Sequence, residues 1–124
     1  MNTDLFARAV SKALEELPEE FQEKMENVEV IVEDFPDHET MESLEIPSRW
    51  GLLGLYVGVP ITHQSVFSMN VLPERIYLYR RPILRVAGAP QHVVETIRDV
   101  LLHEIGHHFG FDDDELERMT GAEE

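Results

Sequence analysis

Within the stretch LLHEIGHHFGFDDDEL, His103 and His107 stand four residues apart, with Glu104 directly after the first. On a helix each residue turns by about 100°, so the two imidazoles diverge by only about 40° and can reach one ion. Neutral imidazole nitrogen is a standard zinc ligand. Glu104 falls on the same side of the helix as His107. A carboxylate there can sit beside an activated water without binding the metal, which is the placement of a general base for hydrolysis. Gly110 lets the chain leave the helix through a left-handed conformation, so a third ligand can come from close by. Asp113, six residues after His107, is the expected one; Asp112 and Asp114 compete for the same role.

These side chains need a helix to carry them, and PQHVVETIRDVLLHEIGHHFG (90–110) is the strongest in the chain, with Pro90 near its start and Gly110 past its end. Val93, Val94, Ile97, Val100 and Leu101 mark its apolar stripe. With Ile97 set at zero, Glu104 lies roughly 20° from the stripe centre and the two histidines at its flank. A helix built only for packing would carry Leu or Ile there. A carboxylate must be paired, desolvated at a cost or functional. His108 also lies about 20° from the centre, which predicts a packed core histidine.

The remaining elements alternate between helix and strand. Leu5, Phe6, Ala9, Val10, Ala13, Leu14 and Leu17 form a helical stripe with Thr3 as N-cap. Pro18 ends that helix and opens a shorter one. VEVIVEDF (28–35) alternates as a half-buried strand, and ERIYLYR (74–80) reads as another. GLLGLYVGVPI (51–61) is a glycine-punctuated strand that Pro60 assigns to an edge or an end. PDHETMESLEIPSR (36–49) has no usable period and reads as a long loop, closed by Trp50 as a core anchor, with a substrate-facing wall as the alternative. RPILRVAGAP (81–90) gives one or two helical turns, and DDELERMTG (113–121) a last short helix.

The totals bound the function. The 124 residues suit one domain, 1–124. There is no cysteine, so any transition metal must be held by His, Asp or Glu. No apolar run spans a membrane, and the acidic amphipathic start is not a secretory leader; a cytoplasmic protein is expected. The net charge is -15, from 25 acids against 10 Lys and Arg. This argues against a nucleic-acid partner, since phosphate binding needs clustered cations. Arg75, Arg80, Arg81 and Arg85 make the one basic cluster, expected to pair with the acidic N-terminal half, with binding of an anion or an acidic peptide as the alternative. His38, His63 and His92 read as surface or loop residues. Tyr56, Tyr77 and Tyr79 read as packing residues, one of which could serve as an oxyanion donor.

Residues 103–113 spell HExxHxxGxxD, which resembles the zincin metallopeptidases that use an aspartate as third ligand. With GLLGLYVGVPITHQSV and LPERIYLYRRPIL, roughly residues 50–120 resemble a bacterial family of small single-domain zincin-like proteins. The resemblance implies zinc bound by His103, His107 and Asp113, with Glu104 as base toward a zinc-activated water. It implies a minimal zincin-like α+β fold, a small mixed sheet on the HExxH helix, with N-terminal and C-terminal helices. Its substrate would be a peptide or unfolded protein. Met119 follows Asp113 too closely to form the methionine turn of metzincins. Two rivals are weighed: a metal-dependent RNA hydrolase, disfavoured by the charge, and a non-enzymatic zinc-binding or protein-interaction module. Oligomeric state is not legible.

Overall fold

The computed structural model describes residues 1–58, 74–108 and 110. In chain order these form α1 (Thr3–Glu15), α2 (Glu19–Met25), β1 (Val28–Glu33), α3 (His38–Ser43), β2 (Gly54–Val57), β3 (Glu74–Tyr79) and α4 (Arg80–Ala87). A 3-10 turn over Pro90–His92 then leads into α5 (Val93–His108). The expected last helix, and the part of the third expected strand beyond Gly58, lie outside the described residues.

Helix α1 begins one residue earlier than its sequence suggests. Asn2 is the cap: its side-chain oxygen accepts from the Leu5 amide at 2.8 Å, and Thr3 is already helical. Asp4 in the first turn and Lys12 in the last suit the helix dipole. Phe6, Ala9, Val10 and Ala13 form its buried face. Pro18 separates α1 from α2, whose first turn carries Glu19 and Glu20.

The 36–49 segment is not a plain loop. It holds α3, started by Asp37, whose carboxylate accepts from the Thr40 amide at 2.7 Å. No residue of α3 is buried, so it has no apolar period for a sequence reading to find. Its cap was the only signal.

The sheet is mixed, in the order β1-β3-β2. β1 runs parallel to β3, pairing Val30 with Ile76, and β2 runs antiparallel to β3, pairing Gly54 with Leu78. Strand alternation puts Val28, Val30 and Val32, Ile76 and Leu78, and Gly54 and Tyr56 on one face. That face meets α5, which packs on β2, while α1 and α4 pack against α5. The core is therefore continuous from α1 through α5 to the sheet. Phe6, Phe21, Ile76, Leu78, Ile83, Ile97, Leu101 and Ile105 have no exposed surface. This α+β layering presents the C-terminal half of α5 beside β2.

The basic cluster divides. Arg75 pairs with Glu29 at 3.8 Å and Arg80 with Asp34 at 2.8 Å, as charge balance predicts. Arg81 and Arg85 make no ion pair among the described residues. No helix among the described residues is long and apolar enough to cross a membrane.

Candidate active site

Helix α5 buries Val93, Ile97, Leu101, Leu102 and Ile105. Leu102 and Ile105 pull its buried face round, so Glu104 lies roughly 60° from the true centre at 100° per residue. It is half-buried at the rim, not central as the shorter stripe suggested. Burial raises its carboxyl pKa, opposed by His107 and then His103. Among the described residues it has no hydrogen bond and no cation partner. Arg85, the obvious structural mate, lies over the Trp50 ring instead, 5.1 Å from its centroid.

His103 is oriented by its own helix. Its Nδ1 lies 2.8 Å from the Asp99 carbonyl oxygen, one turn back. A carbonyl only accepts, so Nδ1 carries the proton and donates, leaving the Nε2 lone pair for a ligand bond. The His103 and His107 rings stand nearly perpendicular with centroids 6.0 Å apart. One ion at the usual Zn–N length of about 2.0–2.1 Å can bridge rings at that separation. Both histidines occupy the last half of α5, where the helix dipole favours a cation. The described donors thus fit a zinc ion. Asp113, with Asp112 and Asp114, lies outside the described residues, and no three metal-ligating side chains converge among those described.

The wall facing α5 is β2, and Gly54 sets their distance. A Cβ there would meet Val100 Cγ1 at 2.6 Å, the Tyr77 carbonyl oxygen at 3.2 Å and Glu104 Cγ at 3.7 Å. Val100 is β-branched and stiff at χ1, so it cannot swing clear. Gly54→Ala is expected to cost about 1–3 kcal/mol by overpacking. Most of this should return in the Gly54→Ala/Val100→Ala double variant, read by urea denaturation as a double-mutant cycle. A neutral single variant would mean that α5 is not seated on β2.

Between these elements lies an open groove of about 340 Å³. Leu52, Leu53 and Gly54 form one side, Val100, His103 and Glu104 the other, and Val86 of α4 lies at its margin. Thr96 and Asp99 join His103 and Glu104 as its polar groups, set against apolar walls. Sequence reading did not find this wall; glycines in GLLGLYVG read as punctuation, and only pairing with α5 shows why Gly54 has no side chain.

The other candidates separate. His108 is not a packed core histidine: it is 39% exposed and stacks on Tyr56 with ring centroids 4.1 Å apart. It lies past Ile105, where the buried face ends. Tyr56 shares the α5 face of the sheet, and its hydroxyl is enclosed without a well-formed hydrogen bond. Burial first, then the nearby Glu74 carboxylate, push its pKa up. Tyr77 and Tyr79 stack on each other, centroids 6.4 Å apart, on the opposite face by strand alternation; burial pushes the Tyr79 pKa up to about 12. His38 and His92 are surface residues beside Glu42 and Glu95. His63 lies outside the described residues. Trp50 is half-buried, edge-on to Phe35 at 4.8 Å, and is not a core anchor.

A family model for zincin-like metallopeptidases matches residues 25–122. No curated protein matches the chain.

Proposed function

The chain belongs to the zincin-like metallopeptidase family, and from that premise we propose that it is a zinc-dependent peptidase acting on flexible peptides or unfolded protein. His103 and His107, with Asp113, hold the metal, and Glu104 is the general base. The observation that carries this is the pairing of a pre-oriented His103 with a Glu104 that has no hydrogen bond among the described residues, at the edge of one groove.

Zinc, when bound, supplies Lewis acidity: it polarises a carbonyl and lowers the pKa of water toward about 7. The chain's own residues do the rest. The Asp99 carbonyl holds His103 in one tautomer, so the ligand nitrogen needs no reorientation. The Glu104 carboxylate accepts a proton from the attacking water and returns it to the leaving amine. Its partial burial keeps it from being solvated away from that task. Leu52, Leu53 and Val100 receive an apolar side chain next to the cleaved bond. Among the described residues β2 is an outer strand, and an extended substrate adds along it by main-chain hydrogen bonds.

The test uses full-length protein purified without a tag. After zinc loading, elemental analysis should find close to one zinc per chain. A digest of an unstructured peptide mixture, read by mass spectrometry, should show cleavage that a chelator stops. His103→Ala should lose both. Undiminished zinc in His103→Ala would overturn the ligand assignment. A full zinc complement without any cleavage would overturn the peptidase reading.

A further inference from the structure

The two arginines that make no ion pair among the described residues, Arg81 and Arg85, lie on one face of α4, at i and i+4. Like charges at that spacing repel. Arg81 also sits in a first turn that holds no acid, where the helix dipole disfavours a cation. In a chain with 25 acids, pairing would be simple to arrange. Asp34 attracts Arg81 only at longer range, its carboxylate being taken by Arg80. Instead Arg85, with Arg49, lies on aromatic rings. Arg85 lies 5.1 Å from the Trp50 centroid, and Arg49 lies 4.2 Å from that of Phe35 and 5.9 Å from that of Trp50. Trp50, Arg81, Leu84 and Arg85 line an open pocket of about 420 Å³. Local rules broken without an ion pair among the described residues point to a function outside the chain.

The pocket adjoins the groove at Glu104 by two covalent links. Trp50 lines the pocket and Leu52 the groove, two residues on, so at most about 7 Å of chain separates them. On α4, Arg85 faces the pocket while Val86, the next residue, faces the groove. The groove is itself acidic, through Asp99 and Glu104, and repels a carboxylate; the pocket attracts one. A polyanion is a poor occupant, because the cationic patch is small and the surrounding charge is -15.

We propose that Trp50, Arg81 and Arg85 form a recognition pocket for a single carboxylate side chain of a bound polypeptide, about two residues from an apolar side chain seated in the groove. Calling that polypeptide the substrate rests on the peptidase reading; the binding itself does not. The two guanidiniums hold the carboxylate by charge-assisted hydrogen bonds, and Trp50 packs against its methylene stem.

Trp50 is the chain's one tryptophan, so its fluorescence reports the pocket directly. The probe is an acetylated and amidated peptide with Leu and Glu two residues apart, titrated into full-length protein with chelator present, so that no cleavage is needed. A saturable change in emission is expected. The Gln counterpart should bind about tenfold or more weakly, as should the Glu peptide to Arg81→Ala or Arg85→Ala. Arg85→Glu should reverse the preference toward a Lys peptide, which a folding defect would not do. With chelator present throughout, binding is read without metal or cleavage, which separates this result from any failure of the metal or peptidase assignment. Equal binding of Glu and Gln peptides, or no loss in both alanine variants, would overturn the proposal. So would inorganic phosphate competing at the peptide's own concentration, which marks a simple anion site, or an RNA oligonucleotide binding more tightly than the peptide.

Discussion

Glu104→Gln is expected to retain zinc, to keep or gain stability without metal, and to lose about 10²–10⁴-fold of peptide hydrolysis. The side chain is not among the proposed ligands, so zinc content should match wild type. Glutamine has nearly the same shape but cannot take a proton from water, so the loss falls on the chemical step and not on binding. The stability arm follows from the site's electrostatics. Burial disfavours the charged form of Glu104, opposed by His107 and then His103, and no Lys or Arg pairs with it among the described residues. A neutral amide is easier to desolvate than an unpaired carboxylate. A structural Glu104 would behave in the opposite way, because breaking a buried pair strands the partner charge. Arg85 was the available partner, and it lies over Trp50. Three measurements decide: zinc by elemental analysis, melting without metal, and a peptide digest with zinc. Marked destabilisation with unchanged cleavage would rule out the catalytic role.

The contrast between Glu104 and its neighbours shows what the sequence could and could not convey. Its type and spacing with His103 and His107 were visible at once, since an i, i+4 pair on one helix requires no knowledge of the fold. So were α1, β1, β3, α4 and α5, each of which carries its own period or stop signal. What was misjudged depended on contacts between distant segments. The centre of the α5 stripe moved because Leu102 and Ile105 are buried by partners that periodicity does not identify. Gly54 has meaning only against Val100. Helix α3 buries nothing and so left no pattern. Trp50, read as a core anchor, sits among three arginines from two separate segments. The Asp99 carbonyl that orients His103 is backbone, and no residue type marks it.

Phe6→Ala is expected to be the most damaging single truncation away from the site, costing about 3–5 kcal/mol of a total that for such chains is roughly 5–15 kcal/mol. The family match begins at residue 25, so α1 lies outside it. Yet Phe6 has no exposed surface, and α1 packs directly on α5, whose far side carries Glu104 and the histidines. Removing the ring leaves a void in the core cluster that Phe6 shares with Ile97 and Leu101, which a rigid helix pair cannot close. Leu5 is the internal control. It belongs to the same apolar run in the sequence, but it is 47% exposed, and Leu5→Ala should change stability by no more than about 0.5 kcal/mol. Urea denaturation of the two variants beside wild type gives both values from one experiment. Similar effects for the two would mean that α1 is docked in another phase. A Phe6→Ala cost under about 1 kcal/mol would mean that α1 does not support α5. With the expected result, zinc content per folded Phe6→Ala chain should stay near wild type, since His103 and His107 share α5 but not its buried face. The position of the site would then depend on a helix that the family match does not include.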